Sequence, residues 1–291
     1  MIWLVGKNGM LAKEVAQTFS KNGLEYLGTD IEVDITDIEQ VKKFIDGKEF
    51  SHIINCAAYT AVDKAEDDTE KAMNINVYGA ANLAFAAVAL NSVLIHISTD
   101  YVFSGENDIP LCEKDTVGPA GVYGRTKLFG EYSIELSALN RYFIIRTAWL
   151  YGESGKNFVN AMLDLMNAKE SVGVVADQWG SPTWARDLAD FITLVIKSGG
   201  KKYGIYHFSG DGKTNWYEFA KKIYEYGRKS GLILKDCTIN ALTTEQYPTK
   251  AKRPKYSYLS KEKAVENFGI TVAKWEEPLQ TFLETLNRTR K

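Results

Sequence analysis

Tyr123 and Lys127 stand one helical turn apart in the run Tyr-Gly-Arg-Thr-Lys, so a helix through them puts a phenol and an ammonium on one face. A free phenol titrates near about 10, too high for proton exchange at neutral pH, but a nearby cation favours the phenolate and lowers that value. Such a pair can hand a proton to a carbonyl oxygen as a hydride reaches its carbon. Upstream, Thr99 in Ser98-Thr99-Asp100-Tyr101-Val102-Phe103 follows an apolar run that reads as a strand. A hydroxyl at the C-terminal end of a parallel strand lies where open α/β sheets bind ligands. A third pattern opens the chain, where Gly6-Lys7-Asn8-Gly9-Met10-Leu11-Ala12 sits between an apolar strand and an amphipathic helix. Its glycines permit a tight turn and close backbone approach, and small Ala12 lets the helix lie near the strand with its N-terminus toward a pyrophosphate. Asp30 follows the second apolar run, where a carboxylate can accept from ribose hydroxyls, and Asp34-Ile35 can flank an adenine.

Each pattern also has a plain structural reading: a glycine turn that only redirects the chain, a loop aspartate, a surface Tyr and Lys on a helix. Their occurrence together, in this order, favours the chemical one.

These residues need a scaffold, and the first half of the chain supplies its pattern. Short apolar runs alternate with amphipathic stretches, the signature of βαβ units and a parallel sheet. Ile2 to Val5 predicts the first strand, and Leu11, Val15 and Phe19 give the next helix a buried face. Leu24 to Gly28 predicts the second strand. Thr36 with Glu39 forms a capping-box pattern for a helix whose apolar positions are Ile38, Val41 and Phe44. His52 to Cys56 predicts a third strand, Val62 to Leu90 an Ala-rich helical region, and Val93 to Ile97 a strand ending at Ser98. A helix should begin near Tyr123, with the strand Tyr142 to Arg146 after it. The expected fold is α/β, a doubly wound parallel sheet of Rossmann type, with residues 1–150 as the dinucleotide-binding domain.

Residues 151–291 read as a smaller substrate-binding lobe, with elements in about 171–210 returning to the sheet. Strands are expected at Ser171 to Val175 and Tyr203 to Phe208. Asn215 and Glu218 can cap a helix carrying Phe219 and Ile223, and Pro278 suits the first turn of a last helix with Leu279, Phe282, Leu283 and Leu286 inward.

The 291 residues suffice for a large core with a cleft. Charged residues make up 25%, Lys plus Arg 35 against Asp plus Glu 37, and the signs are interspersed, so nothing draws the chain to nucleic acid or an anionic membrane. Cys56, Cys112 and Cys237 are odd in number and widely spaced, which argues against disulfides and a cysteine-rich zinc site and fits a reducing cytoplasm. No signal-peptide pattern opens the chain, and no segment reads as the apolar run of about 20 residues that spans a bilayer. The expectation is a soluble protein.

The chain resembles the extended branch of the short-chain dehydrogenase/reductase superfamily, and within it the dTDP-4-dehydrorhamnose reductase family. The resemblance runs nearly end to end. It rests on Ala57 to Glu66, Ser98 to Phe103, Tyr123 to Lys127, Arg146 to Gly152, Asn157-Phe158, Asp177 to Thr183 and Arg253-Pro254. The first two are specific to this reductase group, whereas the glycine loop and the Tyr/Lys spacing are superfamily-wide. The resemblance implies reduction of dTDP-4-dehydro-L-rhamnose to dTDP-L-rhamnose by NADPH or NADH, in nucleotide-sugar and cell-surface polysaccharide biosynthesis. It further implies that Tyr123 is the proton donor, Lys127 its pKa tuner and ribose contact, and Thr99 the hydroxyl orienting the keto group. Gly6, Asn8, Gly9, Met10 and Leu11 would hold the pyrophosphate, and Asp30, Asp34 and Ile35 the adenosine end. Ala57, Ala58 and Thr60 would line the cofactor trough. Asp100, Tyr101 and Trp149 would meet the sugar and Arg253 the nucleotide diphosphate, though Trp149 also suits plain core packing, and Asn76 reads as structural.

Two departures from the family pattern stand out. Some relatives dimerise around a magnesium ion held by surface carboxylates; Glu14 matches one such position, but Arg186 stands where another carboxylate is expected. The expectation is therefore no metal and a monomer or weak homodimer. The third loop glycine is Ala12, a tolerated change of size. Tyr101 after the Thr-Asp pair, where sugar-nucleotide dehydratases carry an acid, argues against dehydration. Competing readings are a non-catalytic regulatory subunit that keeps the fold, and a reductase of another nucleotide-linked keto sugar.

Overall fold

The computed structural model describes residues 1–106 and 108–289. Four-residue apolar runs suit strands covered on both faces, and Ile2–Val5 is buried at every position. The central sheet has six strands, in spatial order Gly204–His207, Tyr142–Thr147, Val93–Thr99, His52–Asn55, Ile2–Val5 and Tyr26–Thr29. All its pairings are parallel. From Ile2–Val5 the chain turns to one side for its second strand and to the other for its third. That reversal opens a crevice at the carboxyl ends of the strands, where such sheets bind ligands.

Helix Met10–Lys21 lays Leu11, Val15 and Phe19 on one face of the sheet, with helix Ala185–Lys197 beside it. The other face is covered by the alanine-rich Gly79–Ala89 helix, whose small side chains let it pack closely on Ile53, Leu94 and Ile144. Together with the segments before it, this forms a continuous helical stretch, Thr69–Ala89, long and apolar enough to cross a membrane by length and composition. The sequence expectation of no such run is corrected, but half of its apolar window is buried inside the fold. A core helix covered by a sheet needs the same apolar composition.

Other boundaries moved for local reasons. The helix Ile38–Ile45 is capped by Asp37, which accepts from the N–H groups of Glu39 and Gln40, while Thr36 donates to Asp34. The expected Thr36–Glu39 box is therefore replaced by a single Asp37 cap one residue further on. The helical region after Val62 breaks at Glu66, Asp67 and Asp68, and winds as a π turn over Asn74–Tyr78.

Beyond Tyr151 a second core gathers Met162, Leu163, Phe219, Ile223, Leu279, Phe282 and Leu286. Asn215 caps the helix Trp216–Lys229 by accepting from Glu218 N–H, and Pro278 lies in the first turn of Glu276–Thr289. Strand Ser171–Val175 pairs with Thr238–Leu242 outside the main sheet, whereas Ala185–Lys197 and Gly204–His207 belong to the sheet layers.

Candidate active site

Where the strand order reverses, a cleft of about 1110 Å³ runs from the glycine loop to the C-terminal lobe. Its walls bring together Gly9, Met10 and Leu11, Ala58 and Thr60, Thr99 to Tyr101, Tyr123 and Lys127, and Trp149 and Arg253. Gly6, Asn8, Asp30, Asp34, Ile35 and Ala57 do not line it.

Gly6 leaves its strand with φ of 77°, and a Cβ there would sit 2.8 Å from the Ala57 nitrogen. Only glycine takes that conformation in that space at low cost. Gly9 is the N-cap of Met10–Lys21, and no side chain caps it, so the first helix N–H groups face outward as an anion site. Asp30 holds the loop's shape, accepting from Asn8 N–H at 2.9 Å and Ile31 N–H at 3.0 Å. Asp34 is exposed and accepts both Thr36 donors. Ile35 corrects the sequence expectation: its side chain is only 6% exposed and packs into the core beneath Gly79, so it offers no face to an adenine ring.

Thr99 ends its strand with Oγ1 donating to Asp100 Oδ1 at 3.0 Å and accepting from Tyr101 N–H at 3.2 Å. The helix Val122–Glu135 brings Tyr123 to the same cleft wall, its ring edge-on to Tyr101 with centroids 5.6 Å apart. Burial pushes the Tyr123 phenol above its usual 10.0, with the Thr99 hydroxyl acting the other way. Gly124 makes this approach possible, because a Cβ there would meet the Tyr101 carbonyl oxygen at 2.2 Å. Asp100 is pushed up to about 6 by burial, with the nearby Ser257 and Thr99 hydroxyls acting the other way. Its Oδ2 is buried with no partner among the described residues.

Lys127 departs from expectation. Its Nζ donates to the Ile97 carbonyl at 2.6 Å and lies 3.2 Å from His96 Nε2. Its stem carries the nitrogen down to the strand instead of along the helix face.

On the opposite wall Trp149 takes φ of 48°, an outlier for a bulky side chain, and stacks on Trp216 with centroids 3.7 Å apart. Strain of this kind concentrates at ligand sites and costs about 1–3 kcal/mol. Arg253 Nη1 lies 3.5 Å from the Tyr101 hydroxyl.

The RmlD substrate binding domain family matches residues 1–288. A dTDP-4-dehydrorhamnose reductase from Aggregatibacter actinomycetemcomitans is 40% identical over 283 residues, covering 95% of this chain and 96% of that protein. The chain belongs to the dTDP-4-dehydrorhamnose reductase family. Among solved structures, the reductase of that name from Clostridium acetobutylicum has a TM-score of 0.91 at 40% identity, covering 98% of this chain and 99% of that one. The one from Bacillus anthracis, in complex with NADP, has a TM-score of 0.90 at 37% identity, with 97% of each chain covered.

Within the family's Ala57 to Glu66 run, sequence reasoning missed two positioning groups. Glu66 accepts from Val122 N–H at 2.8 Å and so caps the helix that carries Tyr123. Asp63 accepts from Arg253 Nη2 at 2.8 Å and from Ala251 N–H at 3.1 Å, which aims the guanidinium. The acidic spacing within the run is the only signal that pointed to them. Asn76 is engaged by Tyr59 and Thr126 away from the cleft. Where some members of the family are expected to share a metal, Glu14 instead meets Arg186 at 3.2 Å. No cluster of three or more metal-ligating side chains exists among the described residues.

Proposed function

We propose that this chain reduces the C4 keto group of dTDP-4-dehydro-L-rhamnose to give dTDP-L-rhamnose, with NADPH or NADH as donor. The observation that carries this is a single cleft lined by Thr99, Tyr123 and Lys127, with the glycine loop at one end and Arg253 at the other. The NADP complex of the Bacillus anthracis relative supports the cofactor class.

The loop fits a dinucleotide. Gly6, Asn8, Gly9, Met10 and Leu11 present backbone to the pyrophosphate, Asp30 and Asp34 serve the adenosine end, and Ala57, Ala58 and Thr60 form the trough. When bound, the cofactor supplies a hydride to C4. Tyr123 gives its proton to the C4 oxygen, and the Thr99 hydroxyl shares the developing negative charge. Asp100, Tyr101 and Trp149 meet the sugar, and Arg253, aimed by Asp63, meets the diphosphate. In its ammonium form Lys127 would turn toward the cleft, meet the cofactor ribose and lower the Tyr123 phenol. Residues 1–150 act as the cofactor domain and 151–291 chiefly as the substrate lobe. We place the enzyme in the cytoplasm as a monomer or weak homodimer, with no metal, nucleic acid or membrane partner.

The decisive assay mixes purified protein, dTDP-4-dehydro-L-rhamnose and NADPH or NADH. Cofactor oxidation with formation of the 4-hydroxy sugar is expected, and Tyr123→Phe should lower turnover by about 100-fold or more while still binding cofactor. Cofactor binding without oxidation would reject the reading.

A further inference from the structure

Lys127 has surroundings that the proposed reaction leaves unexplained. The residue is 1% exposed, and its nitrogen faces His96 Nε2 at 3.2 Å and the Ile97 carbonyl at 2.6 Å. His96 is also 1% exposed, and its Nδ1 lies 2.9 Å from the Asn55 amide nitrogen. Asn55 Oδ1 in turn accepts from the backbone N–H of Ala57 at 3.1 Å.

Counting donors along this line leaves one arrangement. A backbone N–H only donates, so the Asn55 atom facing Ala57 is the oxygen and the atom facing His96 is the NH2. That NH2 also only donates, so Nδ1 of His96 accepts and carries no proton. Burial keeps the imidazole neutral, holding it well below its usual 6.5. A neutral imidazole without a proton on Nδ1 carries it on Nε2, directed at Lys127. An amine lone pair can receive that N–H; an ammonium has none.

We propose that Asn55 and His96 are positioning residues that hold Lys127 as a neutral amine against the strand, and that the ammonium form must leave His96 and turn toward the cleft. The proposal rests on the reading of Tyr123 and Lys127 as the proton-handling site. Charging the amine sets N–H against N–H, so the His96 contact turns repulsive while the Ile97 bond can persist. Burial already brings Lys127 down to about 8, and a donor aimed at the amine acts in the same direction.

The groups that oppose this are weak. Glu131, one turn further along the helix, is bound by Arg146 and Ser98. The Cys56 thiol, at the end of the neighbouring strand, is pushed up to about 12 by burial and stays neutral. Tyr123, one turn before, is kept protonated by its own burial. Proton uptake by the Lys127 nitrogen from hydronium in the cleft makes one N–H bond and breaks one O–H bond, leaving water. The Asn55–His96 pair thereby sets the pH at which a cation stands beside the phenol.

Histidine 15N spectra of the wild-type chain test this directly. The chain has three histidines, so His52→Asn and His207→Gln assign the His96 signals by elimination. A protonated Nε2 with an unprotonated Nδ1 is expected at neutral pH; an Nδ1–H tautomer or an imidazolium overturns the proposal. The pH profile of kcat/KM gives a second readout. His96→Gln offers Lys127 a carbonyl in place of a donor, so the basic limb should move up by about one unit or more with the plateau largely kept. An unmoved limb, or a uniform loss at every pH, gives His96 a purely structural role. Tyr123→Phe is scored separately: a Phe variant that still turns over removes the proton-donor reading whatever the His96 tautomer.

Discussion

Replacing Lys127 with Met should stabilise the fold at neutral pH while damaging catalysis, and the stability effect has a calculable pH dependence. The lysine is fully buried and its pKa falls from the usual 10.5 to about 8 through desolvation. At about 1.4 kcal/mol per unit, a depression of this size costs on the order of 3 kcal/mol at pH near 7. Losing the hydrogen bond to the Ile97 carbonyl returns about 1–2 kcal/mol of that, so a net gain of about 1–2 kcal/mol is expected for the variant at pH near 7. The sign follows from proton counting. Between the folded and unfolded values the unfolded chain binds the extra proton, so wild-type stability from this group rises with pH through that window. Urea unfolding of both proteins at about pH 6.5 and 9.5 isolates the term, because tyrosine and cysteine titrations cancel in the difference. The advantage of Lys127→Met should shrink by about 2 kcal/mol between the two conditions. An advantage independent of pH would refute a desolvated lysine.

Gly6→Ala adds a Cβ 2.8 Å from the Ala57 nitrogen at a φ of 77° and should weaken NADPH binding by about tenfold or more, read by fluorescence titration; unchanged affinity would free the loop of this constraint. Arg146→Met leaves the buried Glu131 carboxylate without its 2.6 Å partner and should cost about 3–5 kcal/mol in urea unfolding, most of it recovered by adding Glu131→Leu. A single variant as stable as the double would show that the pair is not coupled. Activity should be insensitive to EDTA because Arg186 occupies the position opposite Glu14, and loss of turnover restored by magnesium would contradict this.

The sheet was legible in the sequence because strands covered on both faces must be nearly continuous apolar runs, and Ile2–Val5 appears at the expected bounds. Helix faces were legible where period and cap agreed, as at Trp216–Lys229. The π turn at Asn74–Tyr78 left no local mark, since Asn76 at its centre is held by Tyr59 and Thr126, which lie far off in sequence. Spacing brought Tyr123 and Lys127 to one helix face but left the direction of a long flexible stem open, and that stem reaches His96 on a strand. The Glu66 cap and the Asp63 grip on Arg253 were hidden for the same reason: each joins residues that only the folded chain makes neighbours.

The short stretch from Ala57 to Glu66 lies against three parts of the site at once. Ala58 and Thr60 line the trough, Asp63 holds Arg253, and Glu66 caps the helix bearing Tyr123. A rigid link between two ligand positions means that ordering one lowers the entropic cost of ordering the other. On the proposed roles, ordered loading is expected: a dinucleotide settling against this stretch would steady both Tyr123 and Arg253 before the sugar arrives. The coupling is reciprocal, so dTDP should bind more tightly to the cofactor complex than to the free chain, and NADPH more tightly by the same factor in the presence of dTDP. Calorimetric titrations in both orders measure that factor, and a value of one would cut the link.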